Sequence, residues 1–337
     1  MSIERVEQMS GSLTMDELKE RLAWPLDRKI QESEHRMEQW FTYWRERGET
    51  VSLSFSGGLD STVMLHILRN NPFLKNENIP VIFADTGIEY PEIRDFVHST
   101  EDVTIVKATK PFIKIIEEDG YPVVSKRVAQ YLREIRQTKS PHMVRLRLTG
   151  WRKDGTHSPM GMISKKWHFL VGAPFKVSDR CCDFMKKIPM SCMSCPYIGV
   201  RADEGQHREK TYLQFGCNYI DTKNPRSWPM AFWTDGDIRE YIKANNVPYS
   251  PIYDMGYRRT GCYPCCFGLH LEAWPNRFQL MEKTHPRLYN HCMDKIGIQR
   301  VLEFMNEWLP KKQQISFRYS DYIERPGEET QEEIKLI

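Results

Sequence analysis

Long apolar runs are missing from this chain: no segment of its 337 residues approaches membrane-spanning length, and the N-terminal MSIERVEQMS carries charge without the apolar core of an export signal. The compartment this implies is the cytoplasm. Charge imbalance is missing too. The 48 lysines and arginines against 45 acidic residues leave a net charge of +3, too small a balance to speak for or against nucleic acid. No internal repeat is present, which argues against solenoid and propeller architectures.

A further absence sharpens what is there. Ser54 to Leu65 reads SFSGGLDSTVML, a glycine loop without the lysine that G-x-x-x-x-G-K-[ST] requires, so it is not a Walker A loop. Val51, Leu53 and Phe55 alternate with Ser52 and Ser54 as a strand does, and Val63, Met64, Ile67 and Leu68 recur at helical spacing from Asp60 onward. Between them Gly57 and Gly58 permit positive φ and close approach of backbone to a ligand. Successive N–H groups at the helix start can then point at one anionic group. Ser56 and Ser61 add hydroxyl donors, and Asp60 can cap the helix or hold Mg2+ against phosphates.

The rest of the chain organises around this junction. Thr14-x-x-Glu17 is a capping box, and Met37, Trp40, Phe41 and Trp44 form a helical stripe that suits packing, which predicts two helices over residues 15–47. Strand and helix signals then alternate over 50–55, 60–70, 79–84, 91–99, 102–107 and 111–118. Such alternation predicts an α/β fold, a doubly wound parallel sheet with helical N- and C-terminal extensions. Ligands in such sheets bind at the carboxyl ends of the strands, where SGGLDS and ADTG both lie. Short helices are expected at 278–282, 288–293 and 301–308, followed by a charged, mobile tail, GEETQEE. The expected division is residues 1–48 as a helical extension, 49–270 as the main domain with a basic insertion at 126–168, and 271–337 as a second extension.

SGGxDS resembles the pyrophosphate loop of the ATP pyrophosphatase and phosphoadenylyl-sulfate (PAPS) reductase superfamily. Val81 to Phe96, VIFADTGIEYPEIRDF, resembles that family's second strand and the helix after it. GVRADEGQHR, Gly199 to Arg208, resembles its G-x-R-x-x-E-S-x-x-R segment, with Gly205 in place of serine. Pro229, Trp233, Asp237-Ile238, Tyr241, Pro248, Pro251-Ile-Tyr-Asp254, Gly256-Tyr257 and Gly261-Cys262 match in order and spacing. The resemblance covers roughly residues 50–270 and implies an adenine nucleotide alpha hydrolase-like fold. It implies ATP and Mg2+ as ligands, with Ser54, Ser56, Gly57, Gly58, Asp60, Ser61, Asp85, Thr86 and Gly87 around the nucleotide. Asp60, Ser61, Arg201 and Arg208 would carry the chemistry, the arginines because a guanidinium suits phosphate oxygens.

Nine cysteines in a cytosolic chain point to metal or redox chemistry rather than to structural disulfides. Cys181-Cys182 are adjacent, Cys192-x-x-Cys195 and Cys262-x-x-Cys265 are ligand-spaced pairs, Cys266 follows directly, and Cys217 and Cys292 stand apart. A C-x-x-C turn lets two thiolates converge, and a second such unit completes a four-thiolate site. RCCDFMKKIPM followed by GCxxC resembles the [4Fe–4S] arrangement of adenylyl-sulfate reductases and related ATP pyrophosphatases, which implies Cys181, Cys182, Cys262 and Cys265 as ligands. The competing set is Cys192, Cys195, Cys262 and Cys265, which suits zinc equally.

Residues 126–168 hold eleven lysines and arginines against Glu134 and Asp154, interleaved with Tyr131, Trp151 and Trp167. Such a segment suits a phosphate backbone plus base stacking, and it suits a solvated helix face with a basic loop equally well.

Three functions follow. The first is an ATP pyrophosphatase that adenylates a substrate so that sulfur can displace AMP. By resemblance to enzymes of DNA phosphorothioation and tRNA thiolation, it would act on nucleic acid with sulfur from a cysteine desulfurase. The second is a sulfonucleotide reductase. Reductases resemble one another in a Glu-Cys-Gly-x-His segment, which NHCMDK around Cys292 does not match and which Cys266 through His270 echoes only loosely. They also often carry a degenerate loop, so the intact SGGxDS ranks the ATP-using reading first. The third is a nucleotide-sensing or nucleic-acid-binding protein without catalysis.

Overall fold

The computed structural model describes residues 12–220 and 223–323; the N-terminal MSIERVEQMS and the GEETQEE tail lie outside them. In chain order the helices are α1 Met15–Leu22, α2 Leu26–Arg45, α3 Leu59–Asn70, α4 Pro91–Ser99, α5 Phe112–Glu118, α6 Lys126–Gln137, α7 Pro141–Thr149, α8 Gln206–Phe215, α9 Asp235–Asn245, α10 Arg277–Thr284, α11 Pro286–Asn290, α12 Ile298–Trp308 and α13 Tyr319–Ile323. The strands are β1 Ser52–Phe55, β2 Val81–Asp85, β3 Val103–Lys107, β4 Val123–Val124, β5 Pro196–Ile198, β6 Asn218–Tyr219, β7 Arg226–Ser227 and β8 Cys266–Phe267. No helix among the described residues is long and apolar enough to cross a membrane.

Two compact units form. One takes the chain up to Thr109 together with Met185–Tyr253, and the other takes Lys110–Phe184 and the chain from Asp254 onward. The two units interleave along the chain. In the second unit β4 pairs in parallel with β8, a long-range contact that ties Val123-Val124 to Cys266-Phe267.

The first unit is built on a six-stranded sheet in the order β3-β2-β1-β5-β7-β6, parallel except for the β6–β7 pair at its edge. From β1 the chain steps outward through β2 and β3, and β5 then pairs with the other side of β1. Right-handed crossovers in opposite directions place helices on opposite faces, the doubly wound arrangement, and leave a crevice at the carboxyl ends of β1 and β5. Leu53, Phe55 and Phe83 of the central strands are buried.

Helices α1 and α2 belong to this core. Thr14 and Glu17 make the reciprocal bonds of a capping box, and Met37, Trp40 and Phe41 are buried as the stripe predicts. The Trp40 indole N–H donates to the Cys195 carbonyl at 2.9 Å, and Tyr197 Oη donates to the Met37 carbonyl at 2.6 Å. Lys29, 1% exposed, has its Nζ 2.5 Å from Asp237 Oδ2 and 2.8 Å from the Leu22 carbonyl, which meets the need of a buried cation for partners.

In the second unit the expected short helices appear as α10, α11 and α12, with a π-helical turn over His291–Lys295. Arg136 of α6 reaches the end of a 3-10 segment, Lys165–Gly172, and the loop after it, donating to the carbonyls of Leu170, Val171, Ala173 and Phe175. That guanidinium closes the turn by adding donors for carbonyls at the end of the segment, among which only that of Leu170 is also seen to accept the capping Ala173 N–H, at 3.3 Å.

Candidate functional site

The glycine loop sits where β1 ends and α3 begins. Gly57 has φ +70°, and a Cβ there would lie 2.8 Å from Val97 Cγ2, so glycine is required on both conformational and steric grounds. Gly58 precedes α3 with no side-chain cap, leaving the first N–H groups of the helix to other acceptors. Two are in place: Ser56 Oγ accepts from Gly58 N at 3.3 Å, and Tyr253 Oη accepts from Leu59 N at 3.2 Å. Ser61 Oγ accepts from Ser56 N at 3.1 Å, lies 3.0 Å from Ser56 Oγ and donates to the Gly58 carbonyl at 3.0 Å. The two serines therefore set the loop's shape, while Ser54 lies in β1 between Ile82 and Ile198.

Around Asp60 the structure assembles a charged network. Arg201, 7% exposed, approaches Asp60 Oδ1 with Nε at 2.5 Å and grips Asp203 with Nη1 at 2.9 and 2.8 Å, while its Nη2 stands 3.7 Å from Asp235. Burial raises the Asp60 and Asp203 carboxyls above the usual aspartate range, with Arg201 opposing the rise in both. Burial also works against the charge on Arg201, but Asp60, Asp203 and Glu204 outweigh it and hold the guanidinium protonated more firmly than usual. Arg208 pairs with Glu204 at 2.8 Å. Arg201 thus faces carboxylates, including the Asp60 that heads α3. Gly199 brings β5 against the same turn, since a Cβ there would meet Ser61 N at 3.1 Å.

The second expected nucleotide segment follows β2. Asp85 Oδ1 accepts from Gly87 N at 2.9 Å, Thr86 N and Oγ1 donate to the Glu89 carboxylate at 3.1 and 2.5 Å, and Gly87 has φ +73° with open space beside it. Since β1, β2 and β5 run parallel, SGGLDS, ADTG and Gly199–Arg201 share the carboxyl edge of the sheet.

The second unit gathers the other set. The Cys181 thiol is raised first by a hydrogen bond with Cys182, then by burial, and then by the neighbouring Cys182, Cys265 and Cys262. The four cysteines are therefore near enough to feel one another. Cys265 is raised by burial, against the opposing pull of the Phe267 backbone, Arg277 and Lys126. Arg277 donates from Nη1 to the Cys265 carbonyl at 3.0 Å and from Nη2 to the Phe267 carbonyl at 3.2 Å, and it pairs with Glu272. Among the described residues no three His, Cys, Asp or Glu side chains have the spacing for a single metal ion. Cys192 and Cys195 belong to the sheet unit; Cys192 is exposed, and burial pushes the Cys195 thiol up to about 12. Cys292 is fully buried, with its thiol raised by that burial.

In the basic segment the structure separates charges that the sequence had pooled. Arg133 pairs with Asp179 at 3.0 Å, Arg147 with Glu134 at 2.7 Å, and Arg136 with the four carbonyls already described. Trp167 is buried, and Tyr131 lies under the Arg147 guanidinium at 3.7 Å, so of the three aromatics only Trp151 is exposed. Sequence reasoning missed Tyr253, Asp203 and Arg277. The first two lay inside motifs that were read without assigning them roles.

A family profile described as the phosphoadenosine phosphosulfate reductase domain matches residues 50–154 and 126–267. An adenosine 5'-phosphosulfate reductase of Geobacillus thermodenitrificans is 22% identical over 227 residues, 66% of this chain and 75% of that protein. Among solved structures, a phosphoadenylyl-sulfate reductase from Candida auris in its phosphate complex aligns with TM-score 0.37 and 15% identity, covering 75% of this chain and 97% of that one. A U34-tRNA thiolase from Methanococcus maripaludis with its [4Fe-4S] cluster aligns with TM-score 0.31 and 16% identity, covering 76% and 73%.

Proposed function

The chain belongs to the phosphoadenosine phosphosulfate reductase domain family, and from that premise we propose that it is an ATP pyrophosphatase that adenylates a nucleic-acid base for thiolation. The observation that carries this reading is the intact loop, Ser56 to Ser61, heading α3 at the sheet's crevice with Asp60 locked to Arg201. An acceptor oxygen on the base attacks the α-phosphorus of ATP, the bond from that phosphorus to the bridging oxygen breaks, and pyrophosphate leaves. Charge developing on pyrophosphate meets the N–H groups at the start of α3, which exchange Ser56 Oγ and Tyr253 Oη for phosphate oxygens. Asp60 is the residue that would hold Mg2+, which would neutralise phosphate charge when bound. Arg201 is a positioning residue in this reading: it fixes the Asp60 carboxylate and, through Asp203, the segment after β5.

The terminal sulfur of a persulfide, supplied by a cysteine desulfurase or another donor, then attacks the activated carbon and AMP leaves with the oxygen; a thiol reductant cleaves the resulting S–S bond, itself oxidised to a disulfide, and leaves one sulfur on the base. The residues that would hold a [4Fe–4S] cluster are Cys181, Cys182, Cys262 and Cys265. The four are neighbours in the fold; burial and that proximity raise the Cys181 thiol and burial raises Cys265 against the pull of Arg277 and Lys126, so the charge of bound iron would be what holds them as thiolates. Such a cluster would supply an iron site able to carry sulfur.

A sulfonucleotide reductase is the second reading, favoured by relatives such as the Geobacillus enzyme. It needs an accessible cysteine nucleophile, and burial disfavours the thiolate at both Cys292 and Cys266. Replacing Asp60→Ala is expected to abolish pyrophosphate release from ATP while the far-UV circular dichroism stays that of wild type. Unchanged turnover in that variant would refute the loop assignment.

A further inference from the structure

The face of the second unit that carries Trp308 is a stacking platform flanked by lysines, and we propose that it binds a single nucleic-acid strand, RNA or DNA. The inference rests on the reading that the acceptor is a nucleic acid, and it moves the contact from the body of the basic segment to its far end, where Lys165 and Lys166 lie. Trp308, at the end of α12, is 61% exposed, a large value for the largest apolar side chain. One of its faces is covered: Phe169 stacks on it with ring centres 5.7 Å apart and planes 4° apart, and Phe304 braces Phe169 at 6.1 Å. Phe304 also packs against the indole, with ring centres 6.5 Å apart and planes at 51°; braced by these two rings and still mostly exposed, the indole offers the surface on which a base stacks without regard to sequence.

Positive charge lies on both flanks. Lys165 and Lys166 open the 3-10 segment that ends beyond Phe169, and Lys311 and Lys312 follow Trp308 after Leu309 and Pro310; all four are exposed. Beside them lies a cavity of about 480 Å³, lined among others by His270, Lys311, Lys312, Gln313, Gln314 and Ser316. Its polar lining offers hydrogen-bonding partners of the kind a base edge or phosphate takes. His270 packs edge-on against Trp167 at 5.0 Å, and its Nδ1 is buried without a hydrogen-bond partner. Of the acidic groups nearby, Glu272 is paired with Arg277, whereas Asp321 accepts from Ser316 and Glu303 from Gln299 and both keep their charge, as does the exposed Glu307, so the four lysines stand against three unpaired carboxylates.

The test uses the full chain and fluorescein-labelled single strands of about twelve nucleotides, oligo-uridylate and oligo-thymidylate in parallel, titrated by anisotropy at several salt concentrations. Wild type is expected to bind at least one of them with an affinity that falls as salt rises. Trp308→Ala should weaken binding by about tenfold or more and Trp308→Phe much less, in keeping with the loss of one stacked base. Replacing Lys311 and Lys312 by alanine should lower the salt slope by roughly 1 to 1.5, the value for two phosphate contacts on a single strand. No binding by wild type, equal affinity in Trp308→Ala, or a loss confined to Trp151→Ala would overturn the proposal. Pyrophosphate release from ATP, scored separately on the same preparations, distinguishes that failure from failure of the loop chemistry. A Trp308→Ala variant with a wild-type melting curve excludes misfolding as the cause of lost binding.

Discussion

At the scale of single residues, the chemistry of this chain depends on which polar groups already have partners. Arg201 shows the point: its motif reads as a phosphate contact, yet the folded guanidinium spans Asp60, Asp203 and Asp235. Local sequence shows that an arginine is present but not which carboxylates the fold brings to it, because Asp60 lies 141 positions away. His66 gives a second case. Its Nδ1 lies 2.9 Å from Tyr241 Oη, and burial lowers its pKa from the ordinary 6.5. A histidine whose folded pKa is depressed contributes stability that is complete above the unfolded value and is lost as pH falls from 6.5 through the folded value. Thermal melts of wild type should therefore fall between about pH 7 and 5, and those of His66→Gln should fall less. Parallel melting curves over that window would show that His66 does not contribute to the acid loss.

At the scale of elements, the local signals were legible and the long-range ones were not. Thr14 with Glu17, Pro91 at the start of α4, and the alternation of Val51, Leu53 and Phe55 each act within one turn or one strand, and each appears as its residues dictate. By contrast β4 and β8 are two-residue strands paired across more than a hundred positions, too short to show any period, and they help build the second unit. The basic segment left two readings open for the same reason. Arg136 is indistinguishable in sequence from Lys139, but only the fold supplies it with four carbonyls. The glycine loop allows a sharper test. Gly57→Ala must hold φ near +70° and push Val97 Cγ2 from 2.8 Å, so urea unfolding should show a loss of about 1–3 kcal/mol. A stability equal to wild type would mean that the loop relaxes freely and that its shape is not fixed by α4.

At the scale of the whole molecule, the loop and the four cysteines belong to different units, so nucleotide activation and cluster binding can be tested separately. Anaerobically prepared protein is expected to be brown and to carry about four iron and four sulfide per chain. Zinc alone, with no acid-labile sulfide, would defeat the cluster and leave the loop assignment standing. The central claim is the pyrophosphate-releasing step. It is tested most directly by offering ATP, adenylyl sulfate and its 3'-phosphorylated form separately to the same enzyme, with a nucleic-acid acceptor and a reductant present, and identifying the products. AMP and pyrophosphate from ATP, with no sulfite from either sulfonucleotide, is the predicted result; sulfite from a sulfonucleotide, with ATP left intact, would contradict it.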